Sequence, residues 1–154
     1  MNKAFIIGLI SILFVSCYAT KSTSVSISPI SETYEIDGKQ NELYIKANNW
    51  MAETFADSKS VIQFRDKESG SITGKYLLNK GITNSGMYGM QTTISDDVYA
   101  IIKIRVENNT ANIEIKPNSY QYRKSPVEME NFTQEKAEKQ IKNLIGNFHE
   151  YMKG

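Results

Sequence analysis

The sequence predicts an α+β domain, an antiparallel sheet of about five strands with two helices packed on one face, in the order β-α-β-β-β-β-α. Two observations predict it. Apolar residues recur at helical spacing in two stretches, first Leu43, Ala47, Trp50, Met51 and Phe55, then Ala137, Ile141, Leu144, Ile145, Phe148 and Met152. Between these stretches the pattern changes to period two, most clearly where Val98, Ala100, Ile102, Ile104 and Val106 alternate with Tyr99, Ile101, Lys103 and Arg105. A sheet with one apolar face and two amphipathic helices hide their apolar surfaces most economically as two layers. With 154 residues and 40% hydrophobic content the chain supports one core of this kind and no second one.

Thr20 to Ser28 is rich in Ser and Thr, with Val25 and Ile27 alternating, and reads as a tether running into a first strand that extends toward Ile36. Pro29 should break that strand or hold it to an edge. Asp37-Gly38 ends it, and the first helix follows. Val61 to Asp66 and Ser71 to Leu78 flank Lys67-Glu68-Ser69-Gly70 as a hairpin. Asn79 to Tyr88, with Gly81 and Gly86, reads as a flexible connection. The strand Val98 to Val106 turns at Asn108-Asn109-Thr110 into Ala111 to Lys116, a second hairpin. Asn131, with Gln134 three residues on, is expected to cap the last helix as a capping box.

The first sixteen residues read as an export signal outside the fold. A short basic start ending at Lys3 precedes the uncharged apolar run Ala4 to Ser16, which is shorter than the ~20 residues of a membrane span and suits a signal-peptide hydrophobic region. The domain plan is therefore a signal peptide at 1–16, a tether at 17–24 and a single domain at 25–154. Phe14-Val15-Ser16-Cys17 resembles the lipobox of bacterial lipoproteins, in which the Cys is acylated and becomes the mature N-terminus, although Phe14 stands where Leu is usual. The rival reading is cleavage after Ala19, because Cys17 and Ala19 place small residues at both required positions. The first reading gives an outer-membrane lipoprotein facing the periplasm, held by its lipid anchor. The second gives a soluble periplasmic protein. Cys17 is the only cysteine, so no disulfide framework exists.

Several residues together resemble a known family. Gly38-Lys39 leading into Glu42-Leu43-Tyr44, then Trp50-Met51 and Phe55, then Asp66-Lys67-Glu68-Ser69-Gly70-Ser71-Ile72-Thr73-Gly74-Lys75, is similar to exported bacterial proteins of unknown function with a TATA-binding-protein-like fold. The likeness covers roughly Val25 to Asn118. It implies the fold order above and an exported setting. The family name describes topology, so the resemblance transfers no activity, no catalytic set and no DNA binding.

The residue inventory restricts the chemistry. Nucleophilic hydrolysis needs a Ser or Cys beside a His base and an orienting acid, and the single His149 sits beside Phe148 near the end of the last helix, where a solvated structural role is expected. Asp96-Asp97 are adjacent, without a further acid or His at ligand spacing, and read as a turn, so no metal is expected. Glu32 with Glu35, or Glu128 with Glu130, would suit acid–base work only if the fold brought a pair together. Gly81, Gly86 and Gly89 lack the spacing and strand-to-helix context of a phosphate loop, so no cofactor is expected. Asn108-Asn109-Thr110 and Asn131-Phe132-Thr133 match the glycosylation pattern and read instead as turn and cap residues.

What remains is the sheet face left open by the helices. It is expected to carry Tyr99, Ile101, Lys103 and Arg105 beside Asn112, Glu114 and Lys116, with Gln63, Arg65, Thr73 and Lys75 from the first hairpin. Arg65, Lys75, Tyr99, Lys103, Arg105 and Lys116 are the candidate binding residues. Such a face would be more basic than the chain, whose formal charge is +1, and would add aromatic area suited to binding. A solvated sheet face would show Lys, Arg and Thr for solubility alone. The expected function is a non-enzymatic binding or interaction domain of the cell envelope, contacting a protein, a glycan or a lipid headgroup. The alternatives are an envelope enzyme of hydrolase type and a structural accessory subunit. Near-neutrality and export argue against nucleic acid.

Overall fold

The structure, a computed structural model, describes residues 22–55, 61–85, 91–123 and 132–154. The export signal, Cys17, Glu128, Glu130 and Asn131 lie outside the described residues. The elements in chain order are β1 (Ser22–Val25), β2 (Ile30–Glu35), α1 (Gln40–Thr54), β3 (Ile62–Asp66), β4 (Ser71–Asn79), β5 (Ile82–Ser85), β6 (Gln91–Ser95), β7 (Val98–Glu107), β8 (Thr110–Pro117), β9 (Tyr120–Arg123) and α2 (Gln134–Lys153).

The main sheet has five antiparallel strands in the order β2-β8-β7-β4-β3, which are the five strands expected from the alternating segments. Its inner face carries Ile72, Ile102, Ile104, Val106, Ile113 and Ile115, all buried beneath Leu43, Ala47, Trp50 and Met51 of α1 and Ile141, Ile145, Phe148 and Met152 of α2. Each large apolar side chain hidden in this way contributes about 1.5–3 kcal/mol, so burial of the two stripes holds the layers together. Trp50 lies between the helices, edge-on to Phe148 with ring centroids 5.0 Å apart. Its Nε1–H donates to Asn147 Oδ1 at 2.8 Å, which satisfies the indole donor inside the packed layer.

The start of α1 is tied to the far end of the sheet. Glu42 Oε2 reaches back to accept from the Lys39 N–H, and Asn108 Oδ1 in the β7–β8 turn accepts from the Gln40 N–H at 2.9 Å. Asn109, at φ 60, accepts from the Gly38 N–H through its Oδ1 and donates its own N–H to Gly38 O. This left-handed position suits Asn, and the Asn108-Asn109 pair is a structural turn.

A second sheet was not legible as such in the sequence. It has four strands in the order β1-β9-β6-β5. Each of these strands is joined to a main-sheet strand by a short break, β1 to β2, β5 to β4, β6 to β7 and β9 to β8, and the lateral order is the same in both sheets. The two sheets are therefore one set of strands interrupted at Ser26–Pro29, Lys80-Gly81, Asp96-Asp97 and Asn118-Ser119. Ile27, Val98, Tyr120 and Ala137 form a small core of their own at this break, joined by Phe132 and Leu78. The tether expectation changes accordingly, since residues from Ser22 already belong to β1, which pairs with β9. Part of the connection expected at Asn79 to Tyr88 is strand β5. The break expected at Pro29 is present between β1 and β2.

The last helix also starts later than its capping pattern suggested. Thr133 is its N-cap, with Oγ1 accepting from the Lys136 N–H.

Candidate functional site on the open sheet face

Partners directly across an antiparallel pair project to the same side, so the register lays out the open face row by row. The first row holds Glu35, Thr110 and Glu107, and the second Thr33, Asn112, Arg105, Ser71 and Asp66. The third runs from Ser31 through Glu114, Lys103 and Thr73 to Phe64. Lys116, Ile101 and Lys75 form the fourth, and Tyr99 with Leu77 the last, beside the break between the sheets.

Of the six candidate residues, this layout brings Lys75, Tyr99, Lys103, Arg105 and Lys116 onto one face. Arg65 is a correction. It pairs with Ile72, whose side chain is buried under the helices, so Arg65 belongs to the helix-side row at the exposed edge of the sheet. The cause is a register shift between Ile62 and Phe64, a bulge that leaves Gln63 out of the pairing and moves Phe64 over Thr73.

The expected basic character is also corrected. Lys75, Lys103, Arg105 and Lys116 share the face with Glu35, Asp66, Glu107 and Glu114, so it is balanced. Lys103 Nζ lies 3.7 Å from Glu114 Oε1, and Arg105 Nε lies 3.3 Å from Glu107 Oε1. Exposed pairs of this kind are worth about 0–1 kcal/mol and serve mainly to neutralise the surface. Asp66 is engaged in the β3–β4 turn. Its carboxyl is held below the ordinary carboxylate value by the Ser69 side chain first, then by the backbone N–H groups of Ser69 and Glu68. Asn112 Nδ2 donates to Thr33 Oγ1 at 2.8 Å, stitching β8 to the edge strand β2.

The end of the face nearest the break has a different composition. Lys75 Nζ lies 4.4 Å from the centroid of the Tyr99 ring, a cation–π contact. Beside it are half-buried Ile101 and Leu77, a large apolar side chain at 45% exposure, and one row back at the β3 edge, diagonal to Lys75, Phe64 is 55% exposed. Sequence reasoning missed both. Leu77 follows Thr73 and Lys75 at period two, so extending the alternation would have found it. The bulge hid Phe64.

The other residues singled out for chemistry have structural roles. His149 stacks on Tyr34 of the edge strand, with ring centroids 3.7 Å apart and planes 9° from parallel. Asp97 Oδ1 accepts the Gly81 N–H at 2.7 Å across the β4–β5 break. Glu32 pairs across from Ile113 and Glu35 from Thr110, which puts the two carboxylates on opposite faces of β2.

Comparison with known proteins bears on the fold. Residues 31–134 match a family described as a domain of unknown function (DUF4468) with TBP-like fold. A crystal structure of a TBP-like protein from Parabacteroides distasonis ATCC 8503 superposes with a TM-score of 0.50 at 16% identity, covering 80% of this chain and 91% of that one. A DUF4468 family protein from Bacteroides ovatus ATCC 8483 aligns at 17% identity and a TM-score of 0.48, over 80% of this chain and 81% of that one. No curated protein matches the sequence.

Proposed function

The chain belongs to the DUF4468 family, a domain of unknown function with a TBP-like fold, and because that membership assigns no activity we propose from the surface itself that it is a non-enzymatic interaction domain of the cell envelope. It binds a protein partner through Lys75, Leu77, Tyr99 and Ile101 at the break end of the open face, with Phe64 at the adjoining β3 edge. Anchorage through Cys17, or release after Ala19, would place that face in the periplasm.

One observation carries the reading. On a sheet face that otherwise alternates as a solvated surface should, Leu77 is left in water across from Tyr99 and Phe64 at the β3 edge diagonal to Lys75. Aromatic and aliphatic anchors with neutralised charges around them make the composition of a protein-binding surface, in which a few apolar residues carry most of the affinity. An anionic headgroup or acidic glycan would be served better by unpaired cations, and here Lys103 and Arg105 already have acidic partners.

The test is capture of partners by the full-length protein in its native envelope. Phe64→Glu with Leu77→Glu should abolish capture while leaving the melting temperature unchanged, because both side chains are exposed. Lys103→Glu with Arg105→Glu should reduce capture only a few-fold. Equal capture by the apolar double variant would refute the proposal, and loss in the charge variant alone would point to an anionic ligand.

A further inference from the structure

A cavity of about 340 Å³ lies on the helix side of the molecule, where the strands break between the two sheets and α2 begins. It is separate from the open face. Its floor is apolar, made by Val98 and Tyr120 of the small core with half-buried Ile82 and Phe132 beside them. Tyr120 Oη donates to the Phe132 carbonyl and the two rings lie 5.8 Å apart, which holds the Phe132 ring in place. The rim is polar, and its charges cancel. Lys136 already holds an interaction of its own, which leaves the Lys80 ammonium set against the Asp96 carboxylate. Both of these side chains are exposed, and among the described residues neither forms an ion pair. The other rim groups have one hydrogen-bonding capacity committed and one open. Ser95 Oγ accepts from the Ile82 N–H at 3.0 Å, so its O–H is left to donate. Asn79 Nδ2 donates to the Lys80 carbonyl at 3.1 Å, so its Oδ1 is left to accept. The Gln140 carboxamide, reaching from α2, does both.

We infer that this cavity binds one uncharged sugar ring, a pyranoside, with its C–H face on the Val98–Phe132 floor and its hydroxyls on Lys80, Asp96 and Gln140. The balance of the rim sets the charge of the ligand. An anion or a cation would be attracted by one of Lys80 and Asp96 and repelled by the other, so neither sign is favoured. The mixture of open donors and acceptors sets its chemistry. An aliphatic ligand would cover these groups without giving them partners, which costs affinity. Adjacent hydroxyls suit both kinds, because each donates one hydrogen bond and accepts up to two. The C–H groups of the same ring supply the apolar face that the floor needs, and polar groups confined to the rim fix its orientation. The volume sets the size. It equals that of about eleven waters at roughly 30 Å³ each, near the lower end of the ~300–1,000 Å³ typical of small-molecule sites. That admits one ring with its substituents, so a longer glycan would place a single ring inside.

The experiment titrates four neutral methyl glycosides, those of glucose, galactose, mannose and N-acetylglucosamine, into the folded protein and follows backbone amide shifts by NMR. At least one should bind saturably, with the shifts gathered at Ile82, Val98 and Phe132. Cyclohexanol, a ring of similar size with a single hydroxyl, should bind about fivefold more weakly than that glycoside, because it leaves most of the rim without partners. Asp96→Ala, at an exposed side chain, should weaken the glycoside about tenfold by removing a charge-assisted hydrogen bond. Gln140→Trp, which sets an indole where Gln140 lines the cavity, should abolish binding of both probes. Phe64→Glu on the open face should change neither, so the outcome is independent of the interaction proposed there. No saturable shift with any of the four glycosides, cyclohexanol binding as tightly as the best of them, or glycoside binding unaltered by both Asp96→Ala and Gln140→Trp would overturn the inference.

Discussion

Tyr76 shows how far a single residue can be read from its surroundings. It lies on the inner face of β4 with its ring 5.3 Å from that of Phe55, and its hydroxyl is buried without a hydrogen-bond partner among the described residues. Burial lifts its phenol far above the ordinary value of 10.0. The consequence for stability has a definite sign. Above pH ~10 the tyrosine of the unfolded chain ionises while the buried one keeps its proton, so stability falls as pH rises through that range. Below it the contribution is constant. Tyr76→Phe removes an unpartnered hydroxyl, and urea denaturation should show a variant equal to wild type or more stable by about 1 kcal/mol at neutral pH. At pH ~11 its advantage should be larger, because the variant lacks the group whose protons couple to folding. A variant less stable than wild type at neutral pH would mean that the hydroxyl has a partner.

At the scale of elements, the strand breaks distinguish this sheet from a plain two-layer one. Asp97 is the side chain that fastens one of them, accepting from the Gly81 N–H at 2.7 Å, with the Tyr99 hydroxyl at 3.4 Å from its other oxygen. Asp97→Ala should cost about 1 kcal/mol in denaturant unfolding. It should also speed amide exchange in β5 more than in β8, because the bond it removes holds the start of β5. Uniform loss of protection across both strands would show that the break is not a local unit.

The same elements show what the sequence made legible. The strands of the main sheet announced themselves because each presents one face to the helices and one to water, so their side chains alternate. The strands of the second sheet are four or five residues long and mostly polar, and Ile82 is the sole large apolar residue of β5. At this length even the Tyr-Gln-Tyr-Arg alternation of β9 is too short to tell from a loop. The α1 stripe marked its helix correctly, while the start of α2 shifted from Asn131 to Thr133 because two potential caps stand two residues apart. On the candidate face, five residues followed from period two. Arg65 did not, since a one-residue bulge reverses the side to which every later residue points, and no local pattern in Ile62 to Asp66 marks the bulge.

For the whole molecule, the chain's balance of 18 basic and 17 acidic residues is repeated on the open face, so long-range attraction contributes little to any encounter. Specificity must then come from contact, and a lipid on Cys17, as proposed, would supply the proximity. If Cys17 carries the lipid, Cys17→Ser should move the protein from the membrane fraction to the soluble fraction of the envelope and leave its melting temperature unchanged. Membrane association that survives the change would place the anchor elsewhere.

Whether Phe64 and Leu77 mark a contact surface is tested by site-specific photocrosslinking in the native envelope. A photoreactive amino acid is placed at position 64, 77 or 45, the last being Ile45, a side chain of α1 that is 49% exposed and serves as a control of similar character. If Phe64 and Leu77 form that surface, one discrete protein partner is crosslinked from positions 64 and 77 and not from 45. The same products from all three positions, or products from 45 alone, would contradict the proposal.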